Sequence, residues 1–267
     1  MIWLPVFLFL LLTNAATTAG QIKLNGKLIQ GGLVVGWAPP GTKIKLEGKS
    51  ISQAAEGSFL LGFSHNAKPT AKLEILFEDG LIDHRLLSIG QRDYVIQRIN
   101  GLPKRKVTPN AKDLALIIQQ RKLIDKARLI SVMKPYFIAG FIRPVSGKVS
   151  GVFGSQRILN GKPRRPHFGL DIAAPEGSEI GAASDGIVIF VHQGMFFNGK
   201  TVIINHGLGL HSTYIHMKSI LVKVGMEVKK GQTVGTVGKT GRATGPHLHW
   251  GLDLNHMPLD PEQLLSK

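Results

Sequence analysis

The chain has 267 residues, 43% of them hydrophobic and 19% charged, a composition that excludes wholesale disorder and leaves room for two domains with a core each. Cysteine is absent, which excludes disulfides, thiolate metal ligands, a thiol nucleophile and a lipid anchor on an N-terminal cysteine. The formal net charge is +16, and fifteen Lys or Arg against two acids, Asp113 and Asp125, fall between Gly101 and Pro166. So dense a basic zone favours a polyanion: nucleic acid, an anionic lipid surface or a carboxylate-rich polymer. It carries neither an RNP-like aromatic pattern nor zinc-finger spacing, so nucleic acid is the poorer choice.

Residues 2–12 form an unbroken apolar run followed by small residues up to Gly20. That is too short to span a bilayer as a helix and suits a secretory leader over 1–19, cut after Ala19 or Ala16. No Lys or Arg precedes the run, so an uncleaved leader acting as an N-terminal membrane tether is the alternative to full release. Residues 21–100 show short alternating runs at 32–37, 43–46, 58–63, 72–77 and 94–97, with turn signals at Ala38-Pro-Pro-Gly41 and a hairpin signal at Asp79-Gly80. This spacing predicts a small β-sandwich acting as an accessory domain. His65 and His84 stand there without companion ligands and read as surface residues.

Residues 101–143 read as a basic linker and one long helix. Asn110 is a good N-cap, with Asp113 three residues on, and the apolar pattern runs to Ile130. Leu114, Ile117, Ile118, Ile124 and Ala127 are expected to line one buried stripe, with Arg121, Lys122, Lys126 and Arg128 outside it. From 144 to 267 the pattern is again β, with strands expected at 186–191, 200–205, 211–216 and 233–237.

The chemistry lies in three motifs of this last region. In Gly245-Pro-His-Leu-His-Trp250 the two histidines are at i and i+2, so on a strand His247 and His249 point to one face. Upstream, His167-Phe-Gly-Leu-Asp171 has helical spacing, but Gly169 and Pro175 argue for an extended or bulged segment. Between them, Thr213-Tyr-Ile-His-Met217 places His216 at the end of a strand-like run. Histidine nitrogens together with one carboxylate oxygen suit zinc, and two histidines plus one acid leave an open, catalytic coordination position. The remaining histidines lack such context: His206 before Gly207 reads as a turn residue, and His192, His211 and His256 as surface groups. Phe196-Phe-Asn-Gly199 reads as a groove wall or as plain packing.

These motifs, in this order, resemble the lysostaphin/LytM family of peptidoglycan metallo-endopeptidases over about Pro144 to Leu252, including Gly151-Val-Phe-Gly-Ser-Gln-Arg157 and Asn205-His-Gly-Leu-Gly209. The resemblance implies that His167, Asp171 and His249 bind Zn2+ and that His216 and His247 are the catalytic histidines beside the reacting water. It also implies a mainly β chain: a small N-terminal β-sandwich, one linker helix and a C-terminal antiparallel β peptidase domain of the barrel-sandwich hybrid type. The expected activity is hydrolysis of peptide cross-links of peptidoglycan, by an exported protein in the periplasm or cell envelope. Some relatives have lost ligands and only activate other hydrolases, so the alternative is a non-enzymatic envelope protein that binds wall peptide or activates an amidase. All five positions are intact here, which favours the enzyme. Lys223-Val-Gly-Met-Glu-Val-Lys-Lys-Gly-Gln232 also resembles carrier-barrel turns, with Lys218 as a carrier lysine, but a carrier leaves the histidine motifs unexplained. Oligomeric state is not legible.

Overall fold

A computed structural model describes residues 22–265. The expected leader at 1–19 lies outside the described residues. Among these residues no helix is long and apolar enough to cross a membrane.

The N-terminal part is two antiparallel sheets facing across one core. One has three strands, Lys23–Gly26, Leu33–Trp37 and Ser58–Gly62; the other has four, Lys43–Leu46, Lys49–Ile51, Thr70–Leu76 and Ile82–Ser88. Val34, Phe59 and Leu61 of the first meet Ile44, Leu73 and Ile75 of the second, all buried. Thr70–Leu76 alternates inward and outward as a strand with one wet face must. Leu33–Trp37 and Ser58–Gly62 are apolar almost throughout because both faces are covered: Leu33 and Leu60 point away from the first core and pack with Leu210, Leu252, Leu254 and Leu259 of the C-terminal half. The expected sandwich is present, and Asp79-Gly80 does turn a hairpin, with Gly80 at φ 86°.

The run expected as a strand at 94–97 forms Ile96–Ile99 and leaves the sandwich. It pairs in parallel with Gln156–Leu159, and Gln97 Nε2 donates to the Ser150 carbonyl at 2.9 Å. After it come a short helix, Lys104–Val107, and the long helix Ala111–Ala127. Asn110 caps the latter as expected, its side chain accepting from the Asp113 amide at 2.9 Å.

The expected buried stripe is corrected. Leu114 and Ile118 are exposed, while Asp113 and Gln120 are the buried positions. Those two are seven residues apart and so share a face. The helix docks through polar bonds: Asp113 pairs with Arg105, and Gln120 Oε1 accepts from the Phe196 amide at 2.8 Å. Arg128, expected outside, is 20% exposed at its side chain and pairs at 2.7 Å with buried Asp253.

The C-terminal half is built on an eight-stranded antiparallel sheet that includes Lys148–Gly151, Leu170–Ala173, Gly186–Met195, Gly199–Gly207, Leu210–Met217 and His247–Leu254. A three-stranded sheet, Glu179–Gly181, Ser219–Ile220 and Thr233–Thr236, covers part of it. Their shared core holds Ile180, Val234, Leu170, Ile172, Tyr214, Leu248 and Trp250. Within it Tyr214 and Trp250 are cross-strand partners, and both are fully buried.

Candidate metal centre

Strand register assembles the centre. His247–Leu254 runs between Leu170–Ala173 and Leu210–Met217. Asp171 lies directly opposite His249, Ala173 opposite His247, and Ile215 opposite His249. Directly opposed residues of an antiparallel pair hold their Cβ atoms about 5 Å apart, close enough to share a ligand. Leu248 and Trp250 point into the core, so His247 and His249 must face the other way.

His167 arrives from the irregular segment just before Leu170–Ala173, as the glycine in its motif predicted, and is 3% exposed. Gly169 is required for space. A Cβ there would lie 2.6 Å from His249 Cε1 and 2.7 Å from the Trp250 carbonyl oxygen.

The three side chains converge. His167 Nε2 is 3.0 Å and His249 Nδ1 2.7 Å from Asp171 Oδ1, and the two ring nitrogens are 2.9 Å apart. His167 Nδ1 lies 3.0 Å from the Val152 carbonyl oxygen, to which it donates as the Nδ1–H tautomer. That leaves Nε2 as a bare lone pair. Lone pairs of two imidazoles and an anionic carboxylate oxygen meeting at one point call for a cation. A donor set of two nitrogens and one oxygen, with the backbone bond fixing the His167 tautomer, fits a divalent metal ion. Burial alone raises the Asp171 pKa, but the adjoining His167 and His249 rings outweigh it and hold the carboxyl well below the usual range. Its second oxygen is taken by the Arg157 guanidinium, so Asp171 offers one oxygen to the cluster. Burial also pushes the His249 pKa down to about 4, which keeps the ring neutral at ordinary pH.

His216 and His247 stand beside this cluster, their ring centroids 4.8 Å apart, with His216 6.3 Å from His249. Regular alternation from core-facing Tyr214 would send residue 216 into the core as well. A bulge breaks that alternation: the register with the neighbouring strand shifts between Lys200 and Val202, and His216 sits at φ 65°, left-handed for a non-glycine residue. His216 Nδ1 donates to the Thr240 carbonyl at 2.7 Å, and His247 Nδ1 meets the Gly245 carbonyl at 2.9 Å. Both histidines thus keep Nε2 as the free nitrogen. Burial, then the neighbouring His247 and His249, bring the His216 pKa down to about 3.

A cavity of about 260 Å³ opens on the cluster, lined by Asp171, His216, His247 and Arg242 and, on the linker side, by Gln97 and Leu102. The short helix Lys104–Val107 spans its surroundings: Lys106 Nζ donates to the Phe196 carbonyl, and Arg164 Nη2 to the Val107 carbonyl at 2.8 Å. Phe196 is accordingly buried under Arg105 and Lys106, whereas Phe197 stacks under Arg242.

All five motif residues come together. Of the others, His84 and His256 are exposed as expected. His206 and His211 are corrected: both are buried, His206 between the Asp185 carbonyl and Ser212 Oγ at 2.6 and 2.7 Å, and His211 near Asp253. His65 is half-buried against Phe168. The sequence reading assigned no role to Arg157 or Arg242: Arg157 acts through Asp171, a residue distant in sequence, and Arg242 reaches the cavity only through the packing of its loop against Phe197.

A β-sheet centre of histidines and one carboxylate, with two further histidines beside an open cavity, is the architecture of a metal-dependent hydrolase. The comparisons then place the chain in a family. The sequence profile of Peptidase family M23 matches residues 165–261. A crystal structure of a Pseudomonas aeruginosa protein assigned to peptidase M23 is 30% identical, with a TM-score of 0.68 over 90% of this chain and 95% of that one. The chain belongs to peptidase family M23. Among curated relatives, the peptidoglycan DD-endopeptidases ShyC and ShyA of Vibrio cholerae are 41% identical over 116 residues and 38% identical over 120. Those stretches cover 43% and 44% of this chain but only 26% and 28% of the relatives' own lengths.

Proposed function

We propose that this protein is a zinc-dependent endopeptidase that hydrolyses peptide cross-links of peptidoglycan at the cell envelope. The observation that carries the reading is the convergence of His167 Nε2, Asp171 Oδ1 and His249 Nδ1 beside a cavity that His216 and His247 also line. The names of the V. cholerae relatives, of whose lengths the match covers 26% and 28%, support the substrate class.

In this reading His167, Asp171 and His249 hold the ion. Zinc, when bound, supplies Lewis acidity: it polarises the scissile carbonyl and acidifies water. Arg157 keeps Asp171 oriented as a single-oxygen ligand. His247, the more accessible of the flanking pair, takes the proton from water at Nε2 and returns it to the leaving amine. His216 is neutral at ordinary pH and accepts a hydrogen bond from the same water at Nε2, holding it in line with the carbonyl. The two backbone carbonyls on the Nδ1 atoms prevent either ring from presenting the wrong nitrogen.

The test is cleavage of purified peptidoglycan by the full chain with and without a chelator. Release of amine groups should stop with chelation and return on adding zinc; cleavage that ignores the chelator, or no cleavage at all, would end this reading.

A further inference from the structure

The cavity beside the metal centre holds a cation whose charge the chain leaves unmatched. Arg242 lines the same cavity as Asp171, His216 and His247. Its guanidinium carbon sits 4.3 Å from the centroid of the Phe197 ring, and its backbone amide donates to the Phe197 carbonyl at 2.8 Å. The loop that bears it is seated firmly, since a Cβ on the neighbouring Gly241 would lie 2.4 Å from both the Gly199 amide nitrogen and the Phe197 oxygen. The side chain is therefore placed, with one face of its plane covered by an aromatic ring and its donor edge left over.

What is missing is an acid. Arg157 has Asp171 and Arg128 has Asp253, but among the described residues no carboxylate pairs with Arg242. Burial first, and then the neighbouring Arg157, Arg165 and Arg164, lower its pKa to about 10, so it is still charged at neutral pH. A half-buried guanidinium among like charges is electrostatically costly unless an anion visits. Solvation of an ordinary surface arginine does not explain the burial, the stacking or the place in the wall of the cavity that Asp171 also lines. Guanidinium forks match carboxylates in a planar, two-bond geometry.

We propose that Arg242 is a specificity residue that binds a carboxylate of the peptide substrate, fixing the acidic group so that the bond to be cut lies over the metal centre. This rests on the reading of the chain as a wall-peptide hydrolase.

The experiment uses the full chain and two synthetic cross-linked peptides, identical except that the free carboxylates flanking the scissile bond are amides in the second. The wild type should cleave the acid peptide with a kcat/KM on the order of ten- to a hundredfold above the amide, the scale of a hydrogen-bonded charge pair. Arg242→Gln should lose that preference by slowing the acid peptide alone, and Arg242→Lys, a point charge without the fork, should keep part of it. Calorimetry on chelator-treated protein should show the same discrimination in peptide affinity, independent of turnover. Equal slowing of both peptides in Arg242→Gln, or slowing of neither, overturns the assignment and leaves the hydrolase reading intact. If the wild type cleaves neither peptide, the hydrolase reading falls and the assignment with it.

Discussion

His216 shows how much of the site depends on single-residue backbone geometry. Left-handed φ in a residue with a Cβ costs about 1 kcal/mol or more, and such conformations persist where surrounding structure enforces them. Here the enforcement is visible: the His216 amide donates to the Asn198 carbonyl at 2.8 Å, and its Nδ1 to Thr240. His216→Ala removes the ring but none of the three proposed ligands. It should therefore retain metal and fold, while turnover falls about a hundredfold or more, the scale of losing a group that positions or moves the proton. Loss of metal from this variant would instead put His216 among the ligands, and unchanged turnover would reduce it to a strand residue. That the five motif residues would converge was legible because their spacing and neighbours resemble one family. The bulge that turns His216 toward His247 was not, because a bulge is a mismatch between two strands and one strand alone does not carry it. The same holds for Arg157, whose partner Asp171 lies fourteen positions on, in a different sheet.

Among the elements, the strands expected at 186–191, 200–205, 211–216 and 233–237 and the runs at 32–37, 43–46, 58–63 and 72–77 were legible from alternation or from short apolar blocks between turns, whereas short strands such as Lys148–Gly151 and Met257–Leu259 were not. Ile82–Ser88 was not, since its sequence, Ile-Asp-His-Arg-Leu-Leu-Ser, does not keep an apolar face. The helix Ala111–Ala127 was legible in its cap and length but not in its buried face. Apolar periodicity predicts which side packs only when packing is apolar, and this helix is held by Gln120, Asp113 and, at its C-cap, Arg128. Arg128 Nη2 reaches both Asp253 at 2.7 Å and Thr213 Oγ1 at 3.3 Å. Arg128→Met leaves Asp253 buried without its partner, a loss on the order of 3 kcal/mol. Amides of 111–127 should then exchange with solvent faster than those of the C-terminal sheet. Uniform exchange across both would mean that the helix is anchored elsewhere.

At the scale of the whole molecule, the N-terminal half is bound to the half that carries the histidine cluster along two seams. One is the apolar layer in which Leu33 and Leu60 meet Leu210, Leu252 and Leu254; the other is the parallel pairing of Ile96–Ile99 with Gln156–Leu159. Arg92 adds an ion pair to buried Asp260 at 2.8 Å. That the chain would build more than one core was legible in the sequence, whereas which faces meet was not, since an apolar strand does not name its partner. Through the second seam Gln97 and Leu102 become walls of the cavity, so the accessory half shapes the site that the C-terminal half carries.

The central claim is that His167, Asp171 and His249 form a zinc site that makes this chain a peptidase. Its most direct test is metal analysis of the purified protein beside Asp171→Ala, with cleavage of cross-linked wall peptide followed on the same samples. The account predicts about one zinc per wild-type chain, and severe loss of both zinc and cleavage when one of three protein ligands is removed. Full zinc occupancy in Asp171→Ala, or undiminished cleavage by a metal-free sample, would contradict it.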